Sequence, residues 1–351
     1  MDRIRLLDCT LRDGGYINDW KFGEEPIHDM IDKLEKTNVD ILEIGFIKDE
    51  PYQRDRTVFN DMGQIETMIS PKKPSLQYAA MIEVVNPIPL EKLVPRTKNA
   101  VDIIRVIVWK TKHAGGQVVD ALEEGFAYCK GIVEKGYKLC VQPARVDQYS
   151  DEEFVAMVRR FSTLDPLAIY VVDSWGTQNP EQLLYYMHLA DDNMPRQIAL
   201  GYHGHNNMMQ ALSAAQQMIH EGFDREIIID ASIYGIGRGA GNLNLELIAK
   251  YMSEKYGKDY EIKPMLDIYS RYIISIFEKE QWGYSSVFFL TAMFKCNPSY
   301  ERILKKYMPM GLEGIWYILS KLSPYDRIMV NEQAVELLAQ QYCKNREKQV
   351  L

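Results

Sequence analysis

The chain has 351 residues, of which 46% are hydrophobic and 26% charged, and its formal net charge is -8. This composition is that of an ordinary folded protein, and the excess of carboxylates gives no electrostatic reason to expect nucleic acid as a partner. No apolar run approaches the roughly 20 residues that a membrane-spanning helix needs, and the N-terminus lacks a signal-peptide stretch. We therefore expect a cytoplasmic protein that uses neither nucleic acid nor a membrane as a partner.

Short apolar or β-branched runs recur along the first two thirds of the chain and predict β-strands. We predict eight of them, at 4–9, 41–47, 76–82, 103–109, 139–142, 169–172, 198–202 and 227–233. Most intervals between them carry residues with helical apolar spacing, for example 26–34 and 120–133. Helix starts are marked by Ser150, which precedes three acidic residues, and by Asn179, which precedes a proline.

Strands that alternate with helices over about 258 residues are typical of a (β/α)8 TIM barrel, and a doubly wound open sheet is the competing arrangement. We assign residues 1–262 to a barrel catalytic domain. From residue 263 the strand spacing stops, and residues 263–351 predict a helical C-terminal extension broken at Pro298, Pro309 and Pro324. We expect this extension to pack on the barrel and to contribute to a homodimer interface.

Polar residues follow the predicted strands at the positions where a barrel places its active site, the C-terminal ends of the strands. Arg12 follows strand 1, Glu43 lies in strand 2, and Asp173 and Ser174 follow strand 6. Arg12 is interpreted as a guanidinium that stabilises an enolate or oxyanion, with a surface ion pair as the alternative. We assign Glu43 to catalysis and Asp173 and Ser174 to substrate binding; pairing of the two carboxylates with Arg12 for structural reasons stays open.

A candidate metal site is formed by two histidines that end strand 7. His203 and His205 are two residues apart, so both side chains point to the same face of the strand, and Gly204 leaves room on the other face. Asp13 after strand 1 reaches strand 7 only if the barrel closes through strand 8. Neutral imidazoles with a carboxylate form a divalent-cation site, and the closure of the barrel is part of this hypothesis.

A glycine-rich loop, 235–242, follows strand 8 and formally contains the G-x-G-x-x-A pattern of a dinucleotide-binding turn. No second strand ending in an acidic residue follows at the expected distance, so this reading is disfavoured. The loop is expected instead to let the backbone approach a ligand, to cradle an anion, or to place Asn242 near the metal.

Together these motifs resemble those of the metal-dependent pyruvate-type aldolase and lyase superfamily. That superfamily includes 4-hydroxy-2-oxovalerate aldolase, hydroxymethylglutaryl-CoA lyase and 2-isopropylmalate synthase. The resemblance rests on five segments in order along the barrel: 10–14, 43–45, 173–174, 203–206 and 239–242. It implies that Asp13, His203 and His205 bind Mn2+ or Mg2+, that Asn242 completes or supports the site, and that Arg12 stabilises the enolate.

Within the superfamily the sequence is most similar to the 4-hydroxy-2-oxovalerate aldolase branch. Its tail contains Gly283-Tyr284-Ser285-Ser286, similar to a tyrosine-serine-serine segment of that branch, which implies that Tyr284 reaches the substrate; a core tyrosine is the alternative. The chain departs from the branch at Tyr16, where the branch carries a histidine base. An unperturbed phenol, with a pKa near 10, is a poor base at neutral pH, so the identity of the base is open.

The resemblance implies an aldolase or lyase that cleaves or forms a carbon–carbon bond in a 4-hydroxy-2-oxoacid through a pyruvate enolate. Its small-molecule partners would be a 2-oxoacid and an aldehyde, and the branch typically works beside an aldehyde dehydrogenase. An acyl-CoA-dependent condensing synthase or lyase is the alternative, although the loop at 234–241 lacks the cysteine of hydroxymethylglutaryl-CoA lyase. A metal-binding partner subunit with reduced catalysis is the alternative from another class.

Overall fold

Eight parallel strands form a closed barrel in the computed structural model, which describes residues 3–114 and 117–350. The strands are β1 (Ile4–Asp8), β2 (Ile41–Ile47), β3 (Gln77–Glu83), β4 (Ile103–Val108), β5 (Lys138–Pro143), β6 (Ala168–Asp173), β7 (Ala199–Gly204) and β8 (Ile227–Ala231). Each strand pairs with the next along the chain. β1 pairs both with β8, where Leu6 is opposite Ile229, and with β2, where Leu7 is opposite Ile41. The predicted TIM barrel is confirmed, because an open sheet would leave β1 with one neighbour at the edge.

In the described chain, two four-residue helices, Thr10–Asp13 and Gly15–Asn18, follow β1, and seven longer helices alternate with the strands. The longer helices are α1 (Glu24–Leu34), α2 (Met62–Met68), α3 (Leu122–Glu134), α4 (Asp151–Ser162), α5 (Pro180–Asp191), α6 (Ala211–Glu221) and α7 (Leu245–Tyr256). The side chains of Ser150 and Asn179 form the capping boxes of α4 and α5, as their positions predict. Between β3 and β4 the described chain forms only the 3-10 turn Leu90–Lys92. Three prolines between residues 87 and 95 remove helix donors there.

A β-hairpin that the periodicity did not predict stands between β4 and α3. Thr111–Ala114 pairs antiparallel with Gln117–Asp120, and the predicted start of the helix at residue 120 is therefore two residues early. A second short strand, Val58–Phe59, pairs with the end of β2. Both additions lie after the carboxyl ends of barrel strands, on the face where the site forms.

The barrel interior changes character along its axis. A small apolar cluster in the barrel interior includes Leu7, Ile41, Ala79, Tyr170 and Ile228. Charged residues of the strands also point inward and are fully or almost fully buried: Glu43, Arg105 and Asp230. Because buried charges persist only when they are paired, this inner polar layer has to be a set of ion pairs.

The C-terminal extension is helical, as predicted. Its helices are α8 (Ile262–Ile268), α9 (Ile274–Lys279), α10 (Ser286–Met293), α11 (Tyr300–Leu304), α12 (Gly311–Lys321), α13 (Pro324–Ile328) and α14 (Glu332–Val350), with a π-helical turn at Tyr269–Ile273 and a 3-10 turn at Lys305–Met310. The extension contacts the barrel loops: the Trp282 indole donates to the Tyr234 carbonyl at 2.9 Å, and Arg302 donates to the Tyr16 carbonyl at 3.1 Å. The division at residue 262 and the homodimer stay predictions. Among the described helices, none combines the length and the apolar character needed to cross a membrane.

Candidate metal centre and active site

Asp13, His203 and His205 meet at the carboxyl ends of the strands. Each is buried, and one potential ligand atom from each lies within 4.8 Å of the others. Nε2 of His203 is 3.5 Å from Oδ2 of Asp13, and the two imidazole centroids are 5.1 Å apart. Closure of the barrel brings β1 within reach of β7, as the hypothesis of a metal site required.

Two glycines make the convergence of these side chains sterically feasible. A Cβ on Gly204 would lie 2.1 Å from the Tyr202 hydroxyl, so the strand between the two histidines tolerates no side chain. A Cβ on Gly237, in the glycine-rich loop, would lie 2.6 Å from Oδ1 of Asp13 and 2.2 Å from Nδ2 of Asn242. The loop therefore approaches Asp13 closely and places Asn242 beside it, and a role of Asn242 at a metal stays a prediction.

The protonation states of these residues fit a divalent cation, and so do two buried polar atoms that lack a hydrogen-bond partner. Burial lowers the pKa of His205 to about 3, so its imidazole is neutral at neutral pH. Burial opposes ionisation of Asp13, but the adjacent Arg12 and the two histidines hold its pKa well below the usual range. Nδ1 of His205 and Oδ1 of Asn242 are buried and have no hydrogen-bond partner. A carboxylate, two imidazoles and an amide oxygen form a nitrogen and oxygen donor set that suits Mn2+ or Mg2+, with Zn2+ also compatible.

His203 is held by a buried carboxylate that sequence reasoning did not single out. Its Nδ1 lies 3.0 Å from Oδ2 of Asp230 in β8, which leaves Nε2 directed at Asp13. Burial alone would lower the pKa of His203, but the hydrogen bonds to Asp13 and Asp230 raise it. Asp230 in turn accepts from the guanidinium of Arg105 in β4. A carboxylate behind a ligating histidine fixes the orientation of the ring and increases its basicity.

The ion pairs continue from Arg105 back to the candidate metal site. Nη1 of Arg105 is 2.8 Å from Oε2 of Glu43, and the same oxygen accepts from Nε of Arg12 at 2.7 Å. Arg12 also pairs with Asp13. Two guanidinium groups and three carboxylates leave this network with one net negative charge. A divalent cation would reverse that sign, and the carboxylate of a bound oxoacid would restore neutrality.

Arg12 is a buried network residue, with 3% of its surface exposed, so the alternative of a surface ion pair is wrong for this side chain. Burial lowers the pKa of a guanidinium, but Glu43 and Asp13 raise that of Arg12, and it stays charged. Glu43 is fully buried and holds Arg12 and Arg105. Its catalytic assignment stays a prediction, and the geometry places it behind Arg12 rather than in the cavity.

A cavity at the barrel mouth contains most of the predicted site residues. Its walls include the following side chains: Arg12, Asp13, Tyr16, Met81, Glu83, Ile107, Trp109, Gln142, Ser174, His203, His205 and Arg238. Asp173 lies behind Ser174, where its carboxylate accepts from the amides of Thr177 and Gln178, each at 3.0 Å. Tyr284 lies outside this cavity, on the surface, with 60% of its area exposed.

Tyr16 lies in the cavity wall but is set up as a proton donor. Its ring packs edge-on against Trp20 and Phe46, with centroids 5.0 and 6.1 Å away. Burial, and then the negative charge of Glu83, raise the pKa of the Tyr16 phenol above its ordinary value. The phenol therefore keeps its proton at neutral pH. A role as the base that replaces histidine is not supported by this environment.

The comparisons with known proteins agree with this geometry. The profile of a family described as HMGL-like matches residues 3–275. The 4-hydroxy-2-oxovalerate aldolase of Bacillus thuringiensis (strain Al Hakam) is 25% identical over 269 residues, which cover 76% of this chain and 74% of that protein. The oxaloacetate decarboxylase of Mycobacterium tuberculosis (strain ATCC 25618 / H37Rv) is 22% identical over 267 residues, covering 71% of this chain and 70% of that protein.

One solved structure shows the same fold over most of both chains. It is the N-terminal domain of a protein from Bacteroides vulgatus that is provisionally assigned as an aldolase, with a TM-score of 0.71 and 22% sequence identity. The superposition covers 88% of this chain and 98% of that one. The covered part extends well beyond the barrel strands, so the likeness in fold includes much of the C-terminal extension.

Proposed function

The chain belongs to the HMGL-like family, and we propose that within it the protein is a divalent-metal-dependent aldolase acting on a 4-hydroxy-2-oxoacid. The predicted resemblance to the pyruvate aldolase and lyase superfamily is confirmed. The observation that carries the proposal is one cavity that combines Asp13, His203 and His205 with the buried guanidinium of Arg12. These are the groups needed to hold a 2-oxoacid and to stabilise its enolate.

The metal would be held by Asp13, His203 and His205, with Asn242 beside them. A divalent cation there supplies a Lewis acid for the carboxylate and keto oxygens of a 2-oxoacid. Arg12 lies against Asp13, so its donors reach the same region and share the negative charge that develops on the keto oxygen. The inner network fixes Arg12 through Glu43, which keeps the guanidinium in place before the charge appears.

The proposed reaction breaks the bond between C3 and C4 of the substrate. The electron pair of that bond moves onto C3 and the keto oxygen, giving the pyruvate enolate, while the 4-hydroxyl loses its proton and becomes the carbonyl of an aldehyde. Protonation at C3 then gives pyruvate. The reverse sequence forms the bond, and the residues do not identify which aldehyde is used.

Metal analysis tests the first part of the proposal. Purified wild type should bind one equivalent of Mn2+, and His203→Ala and Asp13→Ala should bind far less, because each removes a ligand atom. His188→Ala is the matched control, since that histidine is exposed, pairs with Glu221 and is not one of the three candidate ligands. Because His203 must be neutral to act as a ligand, binding should also weaken as the pH falls. Equal metal content in all four proteins would refute the site.

Enolisation of pyruvate tests the reaction without knowledge of the aldehyde. Wild type with Mn2+ and pyruvate in D2O should exchange the methyl protons, followed by NMR. A metal-loaded enzyme that exchanges no deuterium would contradict the aldolase proposal. Exchange of acetyl-CoA in place of pyruvate would favour the acyl-CoA synthase, and no exchange with either would favour a partner subunit without catalysis.

Oxaloacetate decarboxylation is a second candidate activity. The similarity to the oxaloacetate decarboxylase of Mycobacterium tuberculosis favours it, and loss of CO2 from oxaloacetate leaves the same pyruvate enolate. It therefore needs the same metal site and Arg12. The dehydrogenase partner stays a prediction.

A further inference from the structure

The outer half of the cavity contains a carboxylate that the proposed chemistry has not used. Among the described residues that line the cavity, the carboxylates are Asp13, which belongs to the metal site, and Glu83. Glu83 ends β3 and faces inward together with Met81, two residues earlier on the same strand. On the neighbouring strand β4, Ile107 is in register with Glu83, and Trp109 is the first residue after β4.

Glu83 is oriented by Trp109 and also faces an outer cavity. The indole of Trp109 donates to Oε1 of Glu83 at 2.9 Å, which fixes the plane of the carboxylate. Glu83 is only partly buried and also lines an outer cavity, which continues toward α10 and α11 of the C-terminal extension. A proton taken up by Oε2 can therefore leave through that outer cavity.

Other side chains near the outer half are poor bases. The phenol of Tyr16 keeps its proton, because burial and the charge of Glu83 raise its pKa. Arg238 contributes a guanidinium, which donates to Asn297 at 3.2 Å, and Trp109 has only a donor. Tyr284 lies outside the cavity. Among the described side chains that line the cavity with the metal-site residues, and outside that site, Glu83 is the remaining one that can act as a base.

We infer that Glu83 is the catalytic base that removes the proton of the substrate 4-hydroxyl, an assignment that rests on the proposed function. A 2-oxoacid whose C1 and C2 oxygens were held at Asp13, His203 and His205 would extend C4 into the rest of the same cavity, which Glu83 lines. As the C3–C4 bond breaks, its electron pair forms the enolate, the O4–H bond breaks, and the proton moves to Oε2 of Glu83. Glu83 then releases that proton to water, and the enolate takes up a proton from water at C3 to give pyruvate.

The test compares two reactions that give the same enolate but differ in the hydroxyl proton. Decarboxylation of oxaloacetate needs no base at O4, whereas aldol cleavage does. The cleavage substrate is the adduct of pyruvate with whichever of acetaldehyde, propanal and glyoxylate the wild type condenses fastest. Glu83→Gln should lower cleavage by about 10² to 10⁴, the usual contribution of a general base, and change decarboxylation and pyruvate methyl exchange less than threefold.

A matched control and a second variant accompany this comparison. Glu91→Gln changes an exposed glutamate on the turn after the same strand and should alter neither reaction. Trp109→Phe keeps an aromatic ring but removes the hydrogen bond to Glu83, so it should lower cleavage about tenfold, with decarboxylation unchanged. Bound Mn2+, measured by EPR, should equal wild type in every variant, which shows that the site and the fold are intact. The result with Trp109→Phe decides the matter if Glu83→Gln does not fold.

Three outcomes would overturn the assignment. Cleavage by Glu83→Gln within threefold of wild type would show that another base acts. Equal losses of cleavage and decarboxylation would place the role of Glu83 at the enolate. A wild type that enolises pyruvate but condenses none of the three aldehydes would remove the step altogether. A wild type that does not enolise pyruvate would instead refute the proposed function, on which this assignment depends.

Discussion

Asp230→Asn tests whether the buried network prepares the metal site. The carboxylate of Asp230 accepts from Nδ1 of His203 at 3.0 Å and pairs with Arg105. The side chains of Asp230 and Arg105 are both fully buried. Asparagine has nearly the same shape but no charge. The substitution therefore removes the electrostatic support for His203 and leaves Arg105 with Glu43 as its remaining buried counter-ion.

Two effects of defined size follow. Loss of the carboxylate behind a ligating histidine typically weakens metal binding about 10- to 100-fold, or about 1.4 to 2.8 kcal/mol. Removing one partner of a buried ion pair costs about 3 to 5 kcal/mol of stability, and we expect the lower end because Nη1 of Arg105 still lies 2.8 Å from Glu43. Both effects should occur together, since one carboxylate serves both neighbours.

Titration with Mn2+ and urea unfolding of the metal-free protein measure these two effects separately. Asp224→Asn is the matched control. Asp224 lies three residues before β8, the strand that contains Asp230, and forms an exposed ion pair with Arg3, so this substitution should change neither quantity. Binding of Mn2+ by Asp230→Asn with the wild-type dissociation constant would refute the orienting role of Asp230. An unchanged urea midpoint would refute the energetic role of the buried pair.

Three further substitutions test the site and the barrel. Arg12→Lys should lower kcat by about 10² to 10³ with Mn2+ content unchanged, because lysine lacks the planar fork; activity within twofold of wild type would refute the enolate role. Tyr16→Phe should retain turnover within about tenfold, because a phenol that keeps its proton is a donor rather than the base; complete loss of turnover would contradict this. Asp8→Asn should alter the pH dependence of stability. Burial raises the pKa of Asp8 from 3.8 to about 7, so the folded state binds more protons between these values and wild type loses stability as the pH rises through them. Relative to wild type, the variant should gain up to about 4 kcal/mol between pH 4 and pH 8 in urea unfolding, and a constant difference across that range would refute the raised pKa.

The sequence by itself predicted a barrel and the three residues of the candidate metal site. Alternation of apolar strands with amphipathic helices is a local pattern, and eight repeats of it favoured a (β/α)8 barrel over a doubly wound open sheet, while closure itself is shown by the pairing of β1 with both β8 and β2. His203 and His205 were identifiable because a strand places side chains two residues apart on one face. Asp13 could be added to the predicted site once closure was assumed, because in a closed barrel only β8 lies between β1 and β7.

Only the tertiary structure decided what surrounds these residues. Arg105 and Asp230 interrupt apolar runs and could have been noticed as buried charges, but their pairing depends on which strands face each other across the barrel interior. Tyr284 lies in the extension, where no repeat fixes the position of a helix, so its placement outside the cavity was not predictable. Glu83 ends a strand like several other polar residues. The role that we propose for Glu83 rests on the cavity wall that it shares with Tyr16 and Trp109, because contacts between distant segments are set by packing rather than by local sequence.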